Sequence, residues 1–313
     1  MTQPVDIEPL APAADVLPVP EPTRAEPPVP STLSLDLETA LRLEFPDEFP
    51  AASVSKALVM APLAGADLAP LARRSPSLAG YQWEHYLRCS QCRVVRVQRA
   101  LRRHVPAGSR VLDYGSYFGN FALAARANGY AVESVDSYAG YDGALDPWVR
   151  LQRDAGIVVH DFADVQYDMR GLSVPHFDAV MCAGVIEHMP HTPRPLLETL
   201  NAILKPGGVL LLDTPNLGYL YRRLQLLDGE SIFPPIEHQY FTEIPFEGHH
   251  REYTVREVEW LLGQAGHSIL ELETFNYSMF GNSELSGDHV EYYHAMVADS
   301  SLREIIFAAS RRQ

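Results

Sequence analysis

The sequence feature that most constrains the fold is a regular alternation of short apolar and amphipathic segments that begins after Pro106. Short apolar segments predict buried strands, and strands that alternate with helices form a parallel sheet covered by helices on both faces. The predicted strands are 110–113, 131–135, 156–160, 177–182 and 208–213, with helices at 119–128 and 194–204. This part of the chain is therefore predicted to be an α/β domain.

The C-terminal part extends the same pattern. Thr254 and Glu257 form the capping box of a predicted helix, and Gly266 ends that helix. Two further strands and a helix are predicted at 269–275, 304–308 and 288–296. The seven predicted strands indicate a Rossmann-like, mostly parallel seven-stranded sheet with helices on both faces.

The N-terminal third has a different composition. Residues 1–30 contain nine prolines, five acidic residues and one arginine, without an aromatic residue. Such a segment cannot bury enough apolar surface to offset the entropy of ordering, so we predict a disordered tail. Residues 31–104 have a helical pattern interrupted by prolines and are predicted to form a helical extension or cap. Residues 105–313 are predicted to form the main domain, with an insertion at about 217–247.

The formal net charge of −15 argues against a protein that binds nucleic acid by neutralising phosphates. Five arginines just before the main domain are spaced as on one side of a helix, and we interpret them as a solvated helix face. They are Arg93, Arg96, Arg99, Arg102 and Arg103.

Cysteine usage and hydropathy indicate a soluble, cytoplasmic protein. Cys89 and Cys92 form a single C-x-x-C pair, which we interpret as free thiols because a structural zinc site needs further ligands. The sequence shows neither a secretory pattern nor an apolar run close to the ~18 residues that cross a bilayer. We expect no membrane contact, and a homodimer is compatible with the sequence.

A glycine-bearing turn follows the first predicted strand of the main domain. Asp113, Gly115 and Gly119 lie between the strand and the next helix. In open α/β sheets, ligands bind beyond the carboxyl ends of the strands. Asp136 follows Asp113 by 23 residues and ends the second strand, where a carboxylate accepts hydrogen bonds from ribose hydroxyls. The turn therefore predicts a nucleoside-containing cofactor.

Asp113 indicates which class of cofactor the turn binds. Dinucleotide enzymes use G-x-G-x-x-G to hold an anionic pyrophosphate, whereas this turn has only Gly115 and Gly119. An acidic residue ahead of the first glycine suits the ammonium group of a methionine moiety.

Five ordered motifs over about 105–310 resemble those of class I S-adenosylmethionine-dependent methyltransferases. Within that class the sequence is most similar to small-molecule O-methyltransferases of the ubiquinone-biosynthesis type. The motifs are Asp113-x-Gly115-x-x-x-Gly119, Val135-Asp136-Ser137, Phe177-Asp178-Ala179-Val180, Glu187-His188 and Leu204-Lys205-Pro206-Gly207-Gly208.

The resemblance implies S-adenosylmethionine as cofactor. Asp136 is expected to hold the ribose, and Tyr117 replaces the family's usual glycine, so that its ring either points away or contacts the cofactor carboxylate. Arg88 is a second candidate for that carboxylate. The implied cofactor-binding residues are Asp113, Gly115, Tyr117 and Gly119 at the methionine end, Asp136, Asp161 and Phe162 at the adenosine end, and Cys182 and Ala183 beneath the cofactor.

The catalytic candidates are Glu187, His188 and His249. In related enzymes an E-x-x-E-H segment and a later histidine bind a divalent metal, but here Gly184 stands where the first glutamate is expected. We therefore predict His249 as a general base and keep a Glu187/His188/His249 metal site as the alternative. For His250 and His191 a surface position is expected.

The acceptor is predicted to be a hydroxyl of a small molecule such as a sugar or secondary metabolite. The aromatic-rich insertion at 217–247 is interpreted as a substrate lid, with a subunit interface as the alternative. Transfer to nitrogen or carbon, RNA 2′-O-methylation, and a cofactor-binding scaffold without turnover also stay open, although the negative charge disfavours RNA.

Overall fold

The computed structural model describes residues 35–75, 78–162, 175–190, 192–242, 246, 248–280 and 286–313. Thr32–Gln313 form one compact unit. The predicted tail at 1–30, His191 and part of the predicted lid lie outside the described residues.

The described strands form one seven-stranded sheet in the order β3-β2-β1-β4-β5-β7-β6. Only β7 runs antiparallel to its neighbours β5 and β6 within this sheet, which confirms the predicted mostly parallel α/β fold. The strands are β1 (Arg110–Tyr114), β2 (Ala131–Asp136), β3 (Val158–Asp161), β4 (Phe177–Ala183), β5 (Leu204–Pro215), β6 (His267–Phe275) and β7 (Ile305–Arg312).

Helices cover both faces of the sheet. Alternate residues of β1 point to opposite sides, so Val111 packs with α2, α5, α6 and α7, whereas Leu112 packs with α8 and α11. The helices are α1 (Leu37–Glu44), α2 (Phe49–Met60), α3 (Ala69–Arg74), α4 (Trp83–Cys89), α5 (Gln91–His104), α6 (Asn120–Ala127), α7 (Asp146–Asp154), α8 (Arg194–Ile203), α9 (Leu220–Leu227), α10 (Ile236–Phe241), α11 (Val255–Gln264) and α12 (Asp288–Ala298).

The arginines of α5 form a solvated face only at its C-terminal end, where Arg102 and Arg103 are exposed. The interpretation from their spacing is corrected for Arg93, Arg96 and Arg99, which are buried or half-buried. Arg96 is buried, with its guanidinium 4.3 Å from the ring centroid of Phe275. Arg99 pairs with Glu273 at 2.7 Å and Arg102 with Glu48 at 3.3 Å. The helical spacing does not reveal that acidic residues from β6 and from the start of α2 pair with these arginines.

Within the described residues, no helix is both long and apolar enough to span a membrane. Cys89, Cys92 and Cys182 are free and buried, and none of the three joins a described cluster of metal-ligating side chains.

Candidate active site

The turn after β1 has the backbone geometry that the glycine pattern predicts. Gly115 and Gly119 have φ values of 74° and 77°, in the left-handed region that favours glycine. A Cβ on Gly115 would lie 2.5 Å from Cγ2 of Val185, and one on Gly119 would lie 2.4 Å from Cδ of Gln152. The turn therefore has room only for hydrogen at both positions.

Tyr117 also adopts a left-handed conformation, with φ of 48°. Its amide donates to Oδ2 of Asp136 over 2.8 Å, which fixes the turn against the end of β2. The Tyr117 ring lies among aromatic side chains, with its centroid 4.4 Å from that of Phe118, 5.5 Å from Tyr141 and 6.1 Å from Trp83 of α4. The tyrosine thus connects the turn to the N-terminal helices.

Two carboxylates hold the turn from opposite sides. Asp136 accepts hydrogen bonds from the Ser137 amide at 2.7 Å and the Tyr141 hydroxyl at 3.2 Å. Oδ2 of Asp113 accepts from the Ser116 hydroxyl at 2.9 Å and from the Ala122 amide at 3.0 Å. Burial raises the pKa of Asp113 to about 7. Asp113 therefore stabilises the start of α6, with a carboxyl that is costly to ionise.

The remaining predicted cofactor residues lie along the same edge. Asp161 ends β3 and accepts from the Ala139 amide at 3.1 Å, while the Phe162 amide donates to the Asp136 carbonyl at 3.2 Å. Ala183 ends β4 and is partly exposed. The Cys182 side chain is buried in the core on the α8 side, where burial raises its thiol pKa, so only its backbone is placed to face a ligand.

Three side chains from two distant segments meet beyond β4 and β5. Glu187 and His188 lie in a short 3-10 turn, Ile186–His188, and His249 comes from the segment before α11. One ligand atom from each of these residues lies within 4.8 Å of the others. The structure therefore brings together the three catalytic candidates. His250 is half-buried, and its ring nitrogen lies 3.0 Å from the Phe246 carbonyl.

Both histidines of this cluster are oriented through Nδ1. Nδ1 of His188 lies 3.1 Å from the Gly248 carbonyl, and Nδ1 of His249 lies 3.0 Å from Oε1 of Glu252. A carbonyl and a carboxylate can only accept, so we assign the proton to Nδ1 in both rings. This tautomer leaves the Nε2 lone pair of each ring for a proton or a metal ion.

The electrostatics of the cluster distinguish the two histidines. Burial tends to lower the pKa of His249, but the Glu252 hydrogen bond and the Glu187 charge raise it overall. His188 is partly exposed to solvent. Desolvation of its ring by the surrounding protein and the charge of neighbouring His249 nevertheless lower its pKa. Burial raises the pKa of Glu187, whose Oε2 accepts from the Thr214 hydroxyl at 3.0 Å. His249 is therefore the stronger base of the two rings.

An arginine occupies the space next to Gly184, the position at which the resemblance led us to expect a glutamate. A Cβ on Gly184 would lie 2.6 Å from Nη2 of Arg93, which leaves no room for a longer side chain. Arg93 makes a two-pronged ion pair with buried Asp213, and its Nε lies 3.0 Å from Oδ2. The alternative candidate Arg88 is exposed and lies 3.3 Å from His85. Nothing in the sequence distinguishes Arg93 from the other arginines of the helical series.

The insertion contributes to this cluster through α9. Arg222 of α9 donates to Glu252 through Nη2 at 2.7 Å and Nε at 3.2 Å. Elsewhere the insertion exposes large apolar side chains, among them Leu227, Phe233 and Tyr240. Its ion pair with Glu252 was not predicted, because the sequence does not show which arginine reaches which carboxylate.

A family model described as a methyltransferase domain matches residues 83–272. A ubiquinone biosynthesis O-methyltransferase of Xanthomonas axonopodis pv. citri (strain 306) is 32% identical over 123 residues, 39% of this chain and 49% of that protein. The corresponding protein of Xylella fastidiosa (strain M23) is 27% identical over 153 residues, 47% of this chain and 59% of that protein. The chain thus spans about half the length of these curated relatives.

Among solved structures, an S-adenosylmethionine-dependent methyltransferase from Mesorhizobium loti aligns with a TM-score of 0.46 at 20% identity. This alignment covers 68% of the present chain and 96% of that one.

Proposed function

Because the chain belongs to the methyltransferase-domain family, within the class I S-adenosylmethionine-dependent methyltransferases, we propose that it transfers a methyl group to a hydroxyl of a small molecule. The observation that carries the hydroxyl assignment is His249, a histidine with an oriented Nδ1 and a raised pKa, beside the carboxyl edge of the sheet. A hydroxyl needs a base as it attacks, whereas a scaffold without turnover needs none.

S-adenosylmethionine, the cofactor of this family, supplies a methyl group on a positively charged sulfur. Gly115 and Gly119 allow the β1 turn to adopt a left-handed backbone packed against Val185 and Gln152, and in this proposal the methionine part lies along that turn. In this proposal Asp136 accepts from the ribose hydroxyls, and Asp161 and Phe162 flank the adenine. The residues present therefore fit this cofactor.

When bound, S-adenosylmethionine would give up its methyl group to the acceptor oxygen, and the electron pair of the broken carbon–sulfur bond would stay on sulfur. Nε2 of His249 takes the hydroxyl proton as the new carbon–oxygen bond forms. Buried Glu187 lies beside His249 and stabilises the imidazolium that results. Holding the acceptor beside the methyl group supplies much of the remaining acceleration.

A divalent metal is the second candidate for activating the hydroxyl. Glu187, His188 and His249 offer three ligand atoms within 4.8 Å of one another, and both rings are held through Nδ1 as in many metal sites. Such an ion would lower the acceptor pKa by direct coordination. Against it stands Gly184, since Arg93 fills the place of a fourth protein ligand.

We propose a small acceptor, in line with the sugar or secondary-metabolite prediction. RNA 2′-O-methylation is the alternative, but the net charge is −15 and the arginines Arg96, Arg99 and Arg102 of α5 are paired with acidic residues. The substrate-lid role of the insertion belongs to the same proposal, since α9 reaches the His249 cluster.

The test combines cofactor binding with turnover. Calorimetry should show binding of S-adenosylhomocysteine and not of NAD, and radiolabelled methyl transfer should be measured against a panel of phenols, sugars and short RNAs. His249→Ala should lower turnover about 10²- to 10⁴-fold, the usual contribution of a general base, and leave S-adenosylhomocysteine affinity unchanged. Glu187→Gln should lower turnover by a smaller factor than His249→Ala does.

Treatment with a chelator distinguishes activation of the hydroxyl by a general base from activation by a metal ion. Turnover that survives chelator treatment supports His249 as base, whereas loss on chelation and recovery with Mg²⁺ or Mn²⁺ supports the metal. NAD binding alone would overturn the cofactor assignment, and full activity in both His249→Ala and Glu187→Gln would overturn the active-site assignment.

A further inference from the structure

We propose that Arg222 and Glu252 are positioning residues that hold His249 in its reactive tautomer and thereby couple the insertion to the active site. This inference rests on the proposed role of His249 as the group that presents Nε2 to the acceptor or to a metal ion. Under this proposal α9 helps to orient His249 in addition to covering the site.

The three side chains form a continuous chain of charged contacts. Oε1 of Glu252 accepts from Nδ1 of His249 at 3.0 Å and from Nη2 of Arg222 at 2.7 Å, and Oε2 accepts from Nε of Arg222 at 3.2 Å. Glu252 is buried, so its charge needs partners. The hydrogen bonds from His249 and Arg222 supply those partners, and both use the carboxylate as the acceptor.

The acceptor at Nδ1 decides which nitrogen of His249 is reactive. A neutral imidazole carries one proton, and a carboxylate beside Nδ1 holds that proton there, so the lone pair remains on Nε2. Without the carboxylate the proton can move to Nε2, and the ring can rotate away from Glu187. An uncharged replacement of Glu252 should therefore change the tautomer as well as the rate.

The backbone places α9 where this contact can form. Asn216 forms an isolated bridge with Tyr253, and the Leu217 amide donates to the Tyr253 carbonyl at 2.9 Å. The start of the insertion therefore runs beside the segment that carries His249 and Glu252. Arg222 is further held over the Tyr219 ring, with its guanidinium 5.7 Å from the centroid.

Arg223, the next residue of α9, provides a matched control. Its guanidinium donates to the Ser301 carbonyl at 3.0 Å, on the side that faces the turn before β7. Arg222→Met and Arg223→Met remove the same charge from adjacent positions of one helix. Only the first of these variants removes a contact to Glu252.

Rate measurements test the coupling. We expect Glu252→Gln to lower kcat about 10- to 100-fold, the usual cost of losing a group that orients a reactive histidine, with KM and S-adenosylhomocysteine affinity within about twofold of wild type. Arg222→Met should lower kcat less, and Arg223→Met should leave it unchanged. If Glu252→Gln does not fold, Arg222→Lys serves instead, because it keeps the charge and loses the two-pronged contact.

Nitrogen-15 NMR of the histidine rings in chelator-treated protein provides a readout that does not depend on turnover. The His249 signals are those missing from the His249→Ala spectrum. Wild type should show protonated Nδ1 and unprotonated Nε2, and Glu252→Gln should shift population to the other tautomer. An unchanged tautomer in both Glu252→Gln and Arg222→Met would overturn the positioning role, even where His249→Ala is inactive. A shifted tautomer together with an active His249→Ala would instead overturn the proposed function and leave the positioning pair standing.

Discussion

Two edges of the site differ in how far apart in sequence their contacting residues are. The cofactor edge is formed by the segments after β1, β2 and β3. The acceptor edge is formed by the segments after β4 and β5 together with 248–253. Polar contacts of the cofactor edge join residues close in sequence, such as Asp113 to Ser116, three residues apart, and Tyr117 to Asp136, 19 apart. On the acceptor edge His249 and Glu252 are only three residues apart, but the contacts that join its segments to one another span larger separations, 30 residues for Arg222 to Glu252 and 120 for Arg93 to Asp213.

The difference explains which edge the sequence can predict. A contact between neighbours in sequence is set by the residue spacing of one strand–turn–helix unit, so a spacing pattern describes it. A contact across 120 residues exists only once the whole sheet has formed. The cofactor edge is therefore described by a motif, whereas the acceptor edge depends on ion pairs that only the tertiary structure defines.

The largest expected effect tests this dependence at the Arg93–Asp213 pair. Arg93→Ala leaves the buried Asp213 carboxylate without its partner, and breaking such a pair costs about 3–5 kcal/mol of unfolding free energy. Urea unfolding followed by circular dichroism measures the loss. The Arg93→Met/Asp213→Leu double variant, which replaces the pair by apolar side chains, should recover most of it. A loss below about 1 kcal/mol in Arg93→Ala would show that the acceptor edge does not depend on this pair.

The sequence predicted the sheet almost completely and the acceptor edge only in part. All seven strands lie within a few residues of their predicted positions, because buried parallel strands leave short apolar runs. The helical pattern predicted up to residue 104 ends in two helices, α4 and α5, joined at Ser90. The sequence analysis missed α7, α9 and α10, because these are short helices whose packing the apolar pattern does not specify. The structure brings Glu187, His188 and His249 together, and their roles stay predictions.

What the sequence could not supply are the partners of charged side chains. Glu252 looks like an ordinary acidic residue in Gly248–Tyr253, and Arg222 and Arg223 look equivalent. Adjacent residues of a helix point in different directions, so Arg222 reaches Glu252 whereas Arg223 reaches the Ser301 carbonyl.

A middle-sized effect is expected on the cofactor edge at Asp136. Asp136→Asn removes the charge that should accept from the ribose hydroxyls, and hydrogen bonds to charged groups contribute about 1.5–3 kcal/mol. We expect S-adenosylhomocysteine to bind about 10- to 100-fold more weakly, measured by calorimetry. Asp142→Asn, which removes the same charge from an exposed neighbouring position, should leave the affinity unchanged. Equal affinity in wild type and Asp136→Asn would place the ribose elsewhere on the sheet.

The smallest expected effect, at most about 1.4 kcal/mol for each pH unit, is a pH dependence of stability from Asp113 on the cofactor edge. Burial raises the pKa of this carboxyl to about 7, whereas the unfolded chain has the ordinary value of 3.8. Between these values the folded protein retains a proton that the unfolded chain releases. The contribution of Asp113 is therefore full below pH about 4 and is lost as the pH rises through 7.

Asp113→Asn removes this titration, so the free energy of unfolding should fall less steeply between pH 5 and 7 than in wild type. The difference in slope is at most about 1.4 kcal/mol per pH unit, the value for one proton. Asp178→Asn is the control, because the pKa of Asp178 is lowered by its contacts with Lys205 and Arg110 and its titration ends below this range. Saturating S-adenosylhomocysteine should flatten the wild-type slope if its ammonium group lies beside Asp113, since a nearby cation favours the ionised carboxylate. Identical slopes in wild type and Asp113→Asn would mean that Asp113 is already ionised in the folded protein, and that the turn tolerates a buried charge.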